Sequence, residues 1–334
     1  MKKLFLIVSL LIGLIGCSQE NKKSMNTDIN SSNITEKVAE QVKRFPKEPV
    51  YQVFVKNSLC VYELLVNDYP IANEREYGQL MTPFTINNAI LKSGKQKITL
   101  RLYPAPAEYS RSGDVLSPNV SCNLEIEYVD NKDPQYKYIP VTKFELPTKD
   151  RMAGRDNDIA VPEFEGAGKK YYEITYEFDA QIPYENEGWS KGQDLTKLDQ
   201  KLLEKKVVEF YNDYKDIYSN NKADLLAKHE YSSLVRDAIA EYMEKKDVRK
   251  IWEENIFKLS VKKEWLPFNY KIKYYGNGKI ISLLQKSESD NRLIGESALA
   301  FTYKKNNSTN GRFIGVYLYL PEGKNLEDGL EVIR

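Results

Sequence analysis

The sequence predicts an α+β protein of two domains, an N-terminal antiparallel β-sandwich followed by three helices and a second antiparallel sheet. Three observations carry this. From Val50 onward the apolar residues recur with period two. Between Ile182 and Leu195 the period lengthens to that of a helix, and after Pro267 it shortens again.

The first period-two block contains the runs Val50–Val55, Leu59–Val66, Gln96–Tyr103, Ser121–Val129, Lys137–Leu146 and Tyr171–Ile182. They are rich in β-branched and aromatic residues, and clusters of Pro, Gly, Asn and Asp separate them. With no helical stretch between them, they predict a sandwich of Ig-like size over residues 48–186. Ser93-Gly94-Lys95 reads as the turn before one of these strands. Residues 104–118 and 149–168 read as loops, and loops of that length are uncommon unless they carry function or are disordered.

Pro183 to Gly192 interrupts the strand pattern, and Tyr184 and Trp189 offer large apolar surfaces there, so both are expected to anchor the two domains against each other. Asp194 is expected to start a helix whose stripe is Leu195, Leu198, Leu202, Val207, Phe210, Tyr214 and Ile217. Asn220 and Asn221 end it, and residues 223–245 and 248–257 read as two more helices. Strands follow at Tyr270–Tyr275, Ile280–Gln285, Ala298–Tyr303 and Phe313–Leu320, with Gly276-Asn277-Gly278 as a hairpin turn. In its element order, residues 193–334 are similar to NTF2-like domains. The resemblance implies a long first helix packed across a curved sheet, and a fold of that kind would not by itself specify an activity.

The chain begins with Lys2 and Lys3, followed by an apolar run from Leu4 to Gly13 that is too short to span a membrane stably. Leu14-Ile15-Gly16-Cys17 and the polar Ser18-Gln19-Glu20 after it resemble the lipobox of bacterial lipoproteins. That resemblance implies removal of residues 1–16 as a signal peptide and acylation of Cys17, with palmitate among the chains. It also implies a lipid-anchored place in the cell envelope, on the outer membrane facing the periplasm or at the cell surface. A plain signal peptide or a short membrane anchor is the alternative. Residues 17–47 are polar apart from the weak helical stretch Ile34–Val42, and read as a flexible tether reaching up to about 100 Å when extended. With Cys17 acylated, Cys60 and Cys122 form an even pair in an oxidising compartment. Cys122 alternates in phase with Leu124, Ile126 and Tyr128, on the apolar face of its strand. The pair is expected to form a disulfide, the alternative being two buried free thiols.

Lys and Arg number 49 against 48 Asp and Glu, so no global field recruits nucleic acid or anionic lipid. His229 is the only histidine, which excludes paired-histidine metal sites and weakens any histidine-based triad. No G-x-S-x-G, H-E-x-x-H or C-x-x-C occurs, and nothing points to a cofactor or bound metal. Gly166-Ala167-Gly168-Lys169-Lys170 has the Gly-Lys of a phosphate loop, but Glu163 and Lys170 stand at positions where that motif needs Gly and Ser or Thr. Asp150, Asp156, Asp158, Glu163 and Glu165 gather acidic oxygens without EF-hand spacing, so a solvated loop is the expectation over calcium. Glu185 and Glu187 lie beside aromatics, yet two positions apart along one segment is no sign of a shared cleft. No catalytic residue is assigned.

These readings lead to a non-catalytic envelope protein that holds a macromolecular partner through the loops of its first domain or through the interdomain surface. An immunity or inhibitor lipoprotein that neutralises a toxin is the most concrete form. The alternatives are an envelope hydrolase using paired carboxylates and a polysaccharide-binding lipoprotein, the latter requiring an exposed row of Tyr or Trp.

Overall fold

The computed structural model describes residues 26–78, 82–154, 158–287 and 290–333. It is a mixed and largely β architecture in which every strand pairing described is antiparallel. A short helix, α1 (Ile34–Ala39), comes first. Ten strands follow: β1 (Pro49–Ser58), β2 (Cys60–Val66), β3 (Tyr69–Glu74), β4 (Phe84–Thr85), β5 (Gly94–Pro104), β6 (Ser121–Asp130), β7 (Tyr138–Phe144), β8 (Thr148–Ala153), β9 (Ile159–Phe164) and β10 (Tyr172–Ala180). Helices α2 (Gln200–Ser219), α3 (Ala223–Ala240) and α4 (Lys245–Ser260) come next. The remaining strands are β11 (Glu264–Trp265), β12 (Tyr270–Tyr275), β13 (Ile280–Gln285), β14 (Ala300–Lys305), β15 (Ser308–Phe313), β16 (Leu318–Tyr319) and β17 (Glu331–Val332).

In the first half, one sheet has the order β4-β1-β6-β7 and another β10-β5-β2-β3, while β8 and β9 form a separate pair. Alternate residues of β1 and β6, such as Val53 and Leu124, share one buried cluster with alternate residues of β2 and β5, such as Leu64 and Leu100. Period two is the cause, because it turns every second side chain to the same face. Strand β2 is buried along its whole length, so both of its faces are covered. The cluster also takes in Trp189, Tyr242, Tyr275, Ile280 and Ile333, so apolar packing runs on from the first half into the second.

In the second half the sheets are β11-β14-β15 and β12-β13-β16-β17. Leu203, Val207, Tyr211, Tyr214 and Ile217 of α2 pack with Ile281 and Leu283 of β13, Phe301 of β14 and Leu318 of β16 in a second buried cluster. Tyr211 reaches the sheet as well, its hydroxyl donating to the Val316 carbonyl at 2.7 Å and accepting from the Leu283 amide at 2.9 Å.

Several elements differ from the sequence reading. Of the expected tether, residues 26–47 are packed instead of free. Ile34 and Val38, one helical turn apart on α1, are fully buried with Ile29 beside them in the second cluster, and the Trp252 indole donates to the Ser31 carbonyl at 3.1 Å. Asp194 caps only a short 3₁₀ turn, and the Asp199 carboxylate accepts from the amides of Lys201 and Leu202 to start α2. Helix α3 stops at Ala240, before a left-handed Tyr242 at φ +53°, and the next helix begins at Lys245. Strand β3 follows a tight turn at Asn67 and Asp68, both at positive φ. The expected strand Phe313–Leu320 is divided between the end of β15 and β16.

Candidate binding surface at one end of the first sheets

Within 149–168, read as a loop, β8 and β9 form an antiparallel pair that stands apart. Strand β8 pairs with β9 from Thr148 opposite Phe164 to Ala153 opposite Ile159, and neither strand has another strand beside it among the described residues. The hairpin rests on its base: Phe164 is buried with its ring edge-on to Tyr172 at 5.0 Å, and its amide donates to the Pro118 carbonyl at 2.9 Å. Beyond the base the arm is solvated, and Met152 and Ile159 near its tip are more than half exposed, at 51% and 54%. Lys149 and Arg151 both pair with Glu163, at 3.5 and 2.9 Å, so one of the acids of the calcium reading is already paired with cations. Asp156 lies outside the described residues. Among the described residues no group of three His, Cys, Asp or Glu side chains is placed to hold a metal ion.

The Gly166–Lys170 segment is the turn that carries the chain from the arm into β10. Gly168 donates to the Leu116 carbonyl at 2.9 Å and Leu116 donates back to that of Lys169 at 2.8 Å. The amides of Ala167 and Lys169 are likewise given to carbonyls of the same turn, so three of the segment's amides already serve main-chain carbonyls. At Gly166 a Cβ would lie 2.5 Å from the Phe164 ring, so the close approach excludes any side chain. These bonds lace the 105–120 loop to the base of the arm, and Lys170 adds an exposed ion pair to Asp114 at 2.7 Å.

Beside the arm, tyrosines and arginines line the outer face and end of the β5–β10 pair. Tyr77 stacks on Tyr109 with ring centroids 4.7 Å apart, and Tyr109 is half exposed. The Arg75 guanidinium lies 3.5 Å over the Tyr103 ring, and Tyr103 meets the exposed Tyr171 at 5.3 Å. Tyr171 donates its hydroxyl to Glu173, which also accepts from Arg101 Nε at 2.6 Å. The Tyr171 hydroxyl and the Arg101 guanidinium hold the Glu173 carboxyl below the usual carboxylate range, against the opposing effect of its partial burial. Burial, and then the neighbouring Glu173, raise the Tyr171 phenol.

Arg101 carries this surface inward. Its guanidinium also meets Glu63 at 3.3 Å, and Glu63 accepts from the Tyr275 hydroxyl at 3.2 Å. Next to it, Asp68 accepts the amides of Gly276 on its carbonyl and Asn277 on its carboxylate, at 2.8 and 2.7 Å. Burial raises the Asp68 carboxyl and lowers the Lys273 ammonium, each disfavouring the charged form. The charged row therefore joins the candidate surface to the contact between the two halves of the chain.

Of the other residues singled out in the sequence, Trp189 is 4% exposed and stacks on Tyr69 at 4.6 Å with the rings 13° from parallel. Tyr184 is 5% exposed and donates its hydroxyl to the Asn87 carbonyl at 3.0 Å. Cys60 and Cys122 are free thiols, both buried, where a disulfide was expected. Cys17 lies outside the described residues, and no helix among them is long and apolar enough to cross a membrane. His229 sits on α3, edge-on to Phe210 at 5.4 Å and Tyr214 at 5.3 Å, and burial lowers its pKa. Glu185 and Glu187 are exposed on the junction segment, and Glu187 pairs with Lys191 at 3.3 Å.

One contributor to the junction carried no sequence signal. Asn87 is fully buried: its carbonyl oxygen accepts from the Tyr51 amide at 2.6 Å, and its amide group donates to the carbonyls of Pro49 at 2.9 Å and Ala240 at 2.7 Å. It therefore bolts β1 to the end of α3. Nearby, a groove of about 950 Å³ lies between Arg44, Tyr136 and the α3–α4 turn. Its acids Glu241, Glu244, Asp247, Glu253 and Glu254 nearly balance Arg44, Lys246, Lys250 and Lys258, so its lining selects no charge.

Comparison with protein-family models, with curated proteins and with solved structures finds no match to this chain.

Proposed function

We propose that this chain is a lipid-anchored protein of the cell envelope that holds a protein partner through the β8–β9 arm and the tyrosine–arginine edge beside it. The observation that carries the reading is the arm itself, a two-stranded hairpin with both outer edges unpaired among the described residues and Met152 and Ile159 exposed at its tip. A pair of strands standing alone is marginal in water, and an unpaired edge presents main-chain donors and acceptors that another strand can take up. Strand addition supplies affinity through the main chain and specificity through alternate side chains. The rings of Tyr109 and Tyr171, with Arg75 over the neighbouring Tyr103 ring, supply residue types enriched at protein interfaces.

A protein partner is favoured over a polysaccharide by how the rings are used. Arg75 covers a face of Tyr103 and Tyr77 covers a face of Tyr109, which takes away platforms on which sugar rings would stack. In this reading the two four-stranded sheets of the first half form an Ig-like sandwich, the chain divides into two domains at 187–192, and Cys17 carries the lipid. An immunity or inhibitor lipoprotein that captures a protein toxin in the periplasm is the form we favour.

The test places a photo-crosslinking amino acid at position 152, 109 or 225 of the full-length protein in intact cells. Leu225, exposed on α3, is the control. We expect a discrete crosslinked protein from positions 152 and 109 and none from 225. Crosslinks of equal yield from all three, or none from 152, would refute the docking role of the arm.

A further inference from the structure

We propose that Cys60 and Cys122 are a clamp that closes by oxidation and pins the two roots of the 105–120 loop beneath the candidate binding surface. The two residues belong to different sheets, Cys60 opening β2 and Cys122 near the start of β6, and both are buried in the same cluster. Cys60 is the register partner of Pro104, the last residue before the loop, and Cys122 lies two residues past Val120, where the loop ends. Cys60 Sγ lies 3.7 Å from the carbonyl oxygen of Ser121, the residue that precedes Cys122 in the chain. Asn57 holds the corner, since it is the register partner of Cys122 and its side-chain amide donates to the Cys60 carbonyl at 2.8 Å.

The chemistry requires an external disulfide, either glutathione disulfide or that of a thiol–disulfide oxidoreductase. One cysteine thiolate attacks it and releases the first external thiolate, forming a mixed disulfide. The second cysteine thiolate then attacks the mixed disulfide at the protein sulfur, forming the Cys60–Cys122 bond and expelling the second external thiolate. Two protons leave the protein thiols, and two electrons reduce the external disulfide to two thiols. The neighbouring Cys60, and then burial, raise the Cys122 thiol well above its ordinary value, so closure belongs to folding or to an opened state. Once closed, the bond joins β2, which pairs with the loop's entry at Pro104, to β6, the strand that leaves the loop. Other ties of the loop include the Leu116 bonds to the Gly168 turn, the Phe164 amide bond to the Pro118 carbonyl, the Tyr109 stack on Tyr77 and the exposed Asp114–Lys170 pair.

The full-length protein is refolded with and without glutathione disulfide and followed by peptide-mapped alkylation and amide hydrogen exchange. After oxidation we expect neither Cys60 nor Cys122 to be alkylated and their linked peptides to be lighter by two hydrogens. Exchange across 105–120 should slow by about tenfold or more, with β13 unchanged. The C60S/C122S variant should show no such response to glutathione disulfide. Both thiols remaining alkylatable after oxidative refolding would overturn the clamp, and so would equal loop exchange in the oxidised and reduced forms. Neither readout involves a partner or a lipid, so the clamp and the docking role of the arm can fail separately.

Discussion

Replacing Trp189 by Ala tests whether the junction segment fixes the two halves of the chain. The indole is 4% exposed, lies flat on the fully buried Tyr69, and is approached so closely by the backbone that a Cβ on Gly276 would lie 2.8 Å from the ring. Truncating a buried tryptophan costs roughly 3 to 5 kcal/mol, and a stacked aromatic pair adds about 0.5 to 1.5 kcal/mol beyond burial. Trp189 also lines a cavity of about 420 Å³ with Asn67, Lys92, Lys95 and Lys279, so water can enter the space the indole leaves. That places the expected loss near the lower bound, at about 3 kcal/mol, a factor of roughly 100 in the folding equilibrium. Urea unfolding of the Trp189→Ala, Tyr69→Leu and double variants, followed by far-UV circular dichroism, measures both the loss and the coupling. Strictly additive single losses, or a Trp189→Ala loss under about 1 kcal/mol, would refute the reasoning, because a ring stacked in a core cannot be removed at so little cost.

Asn87→Leu should cost about 3 kcal/mol or more in the same assay, since it leaves the Tyr51 amide and the carbonyls of Pro49 and Ala240 without their partner. His229 is half-buried and its partial burial lowers its pKa, so the unfolded chain binds its proton more readily. Its contribution is therefore complete above the unfolded value of about 6.5 and is lost as pH falls from there toward the folded value. Urea titrations from pH 7.5 down to 5 should show wild-type stability falling more steeply than that of His229→Phe. Parallel curves would mean that the ring titrates as it does in the unfolded chain. Replacing residues 150–162 with a short turn should leave thermal stability within about 1 kcal/mol of wild type, because the arm gives the core little beyond Phe164, which is retained. The same variant should lose the crosslink from position 109 where the partner spans both elements.

The strands around the cores were legible because each has one covered face, so Val53, Val55, Leu124 and Ile126 advertise themselves by alternation. The arm was not legible, for the same reason inverted. A hairpin with neither face buried shows no apolar alternation, and the Asp, Arg and Gly that solvate it read as loop. Strand β3 was hidden by brevity, although the Asn67-Asp68 turn before it is a hairpin signal. In the stretch before Pro49, Ile34 and Val38 have helical spacing, but the polar composition around them outweighed it. At the junction, Tyr184 and Trp189 stood out by size, whereas Asn87 looks like any turn asparagine until its three partners are assembled from distant parts of the chain. Tyr77, Tyr103, Tyr109 and Tyr171 are dispersed through the first half, and only the pairing of β2 with β5 and β5 with β10 brings them to one end.

The docking of α1 has a consequence for reach. With residues 29–38 packed on the second half, a lipid on Cys17, as proposed, would be joined to the described residues through at most the chain from 17 to 26, which would span roughly 30 Å if fully extended. That is about a third of the span an unstructured 17–47 segment would allow. The body would then sweep a thin layer next to the bilayer, about as deep as a small domain is wide, and would meet partners passing close to the membrane more often than those farther away.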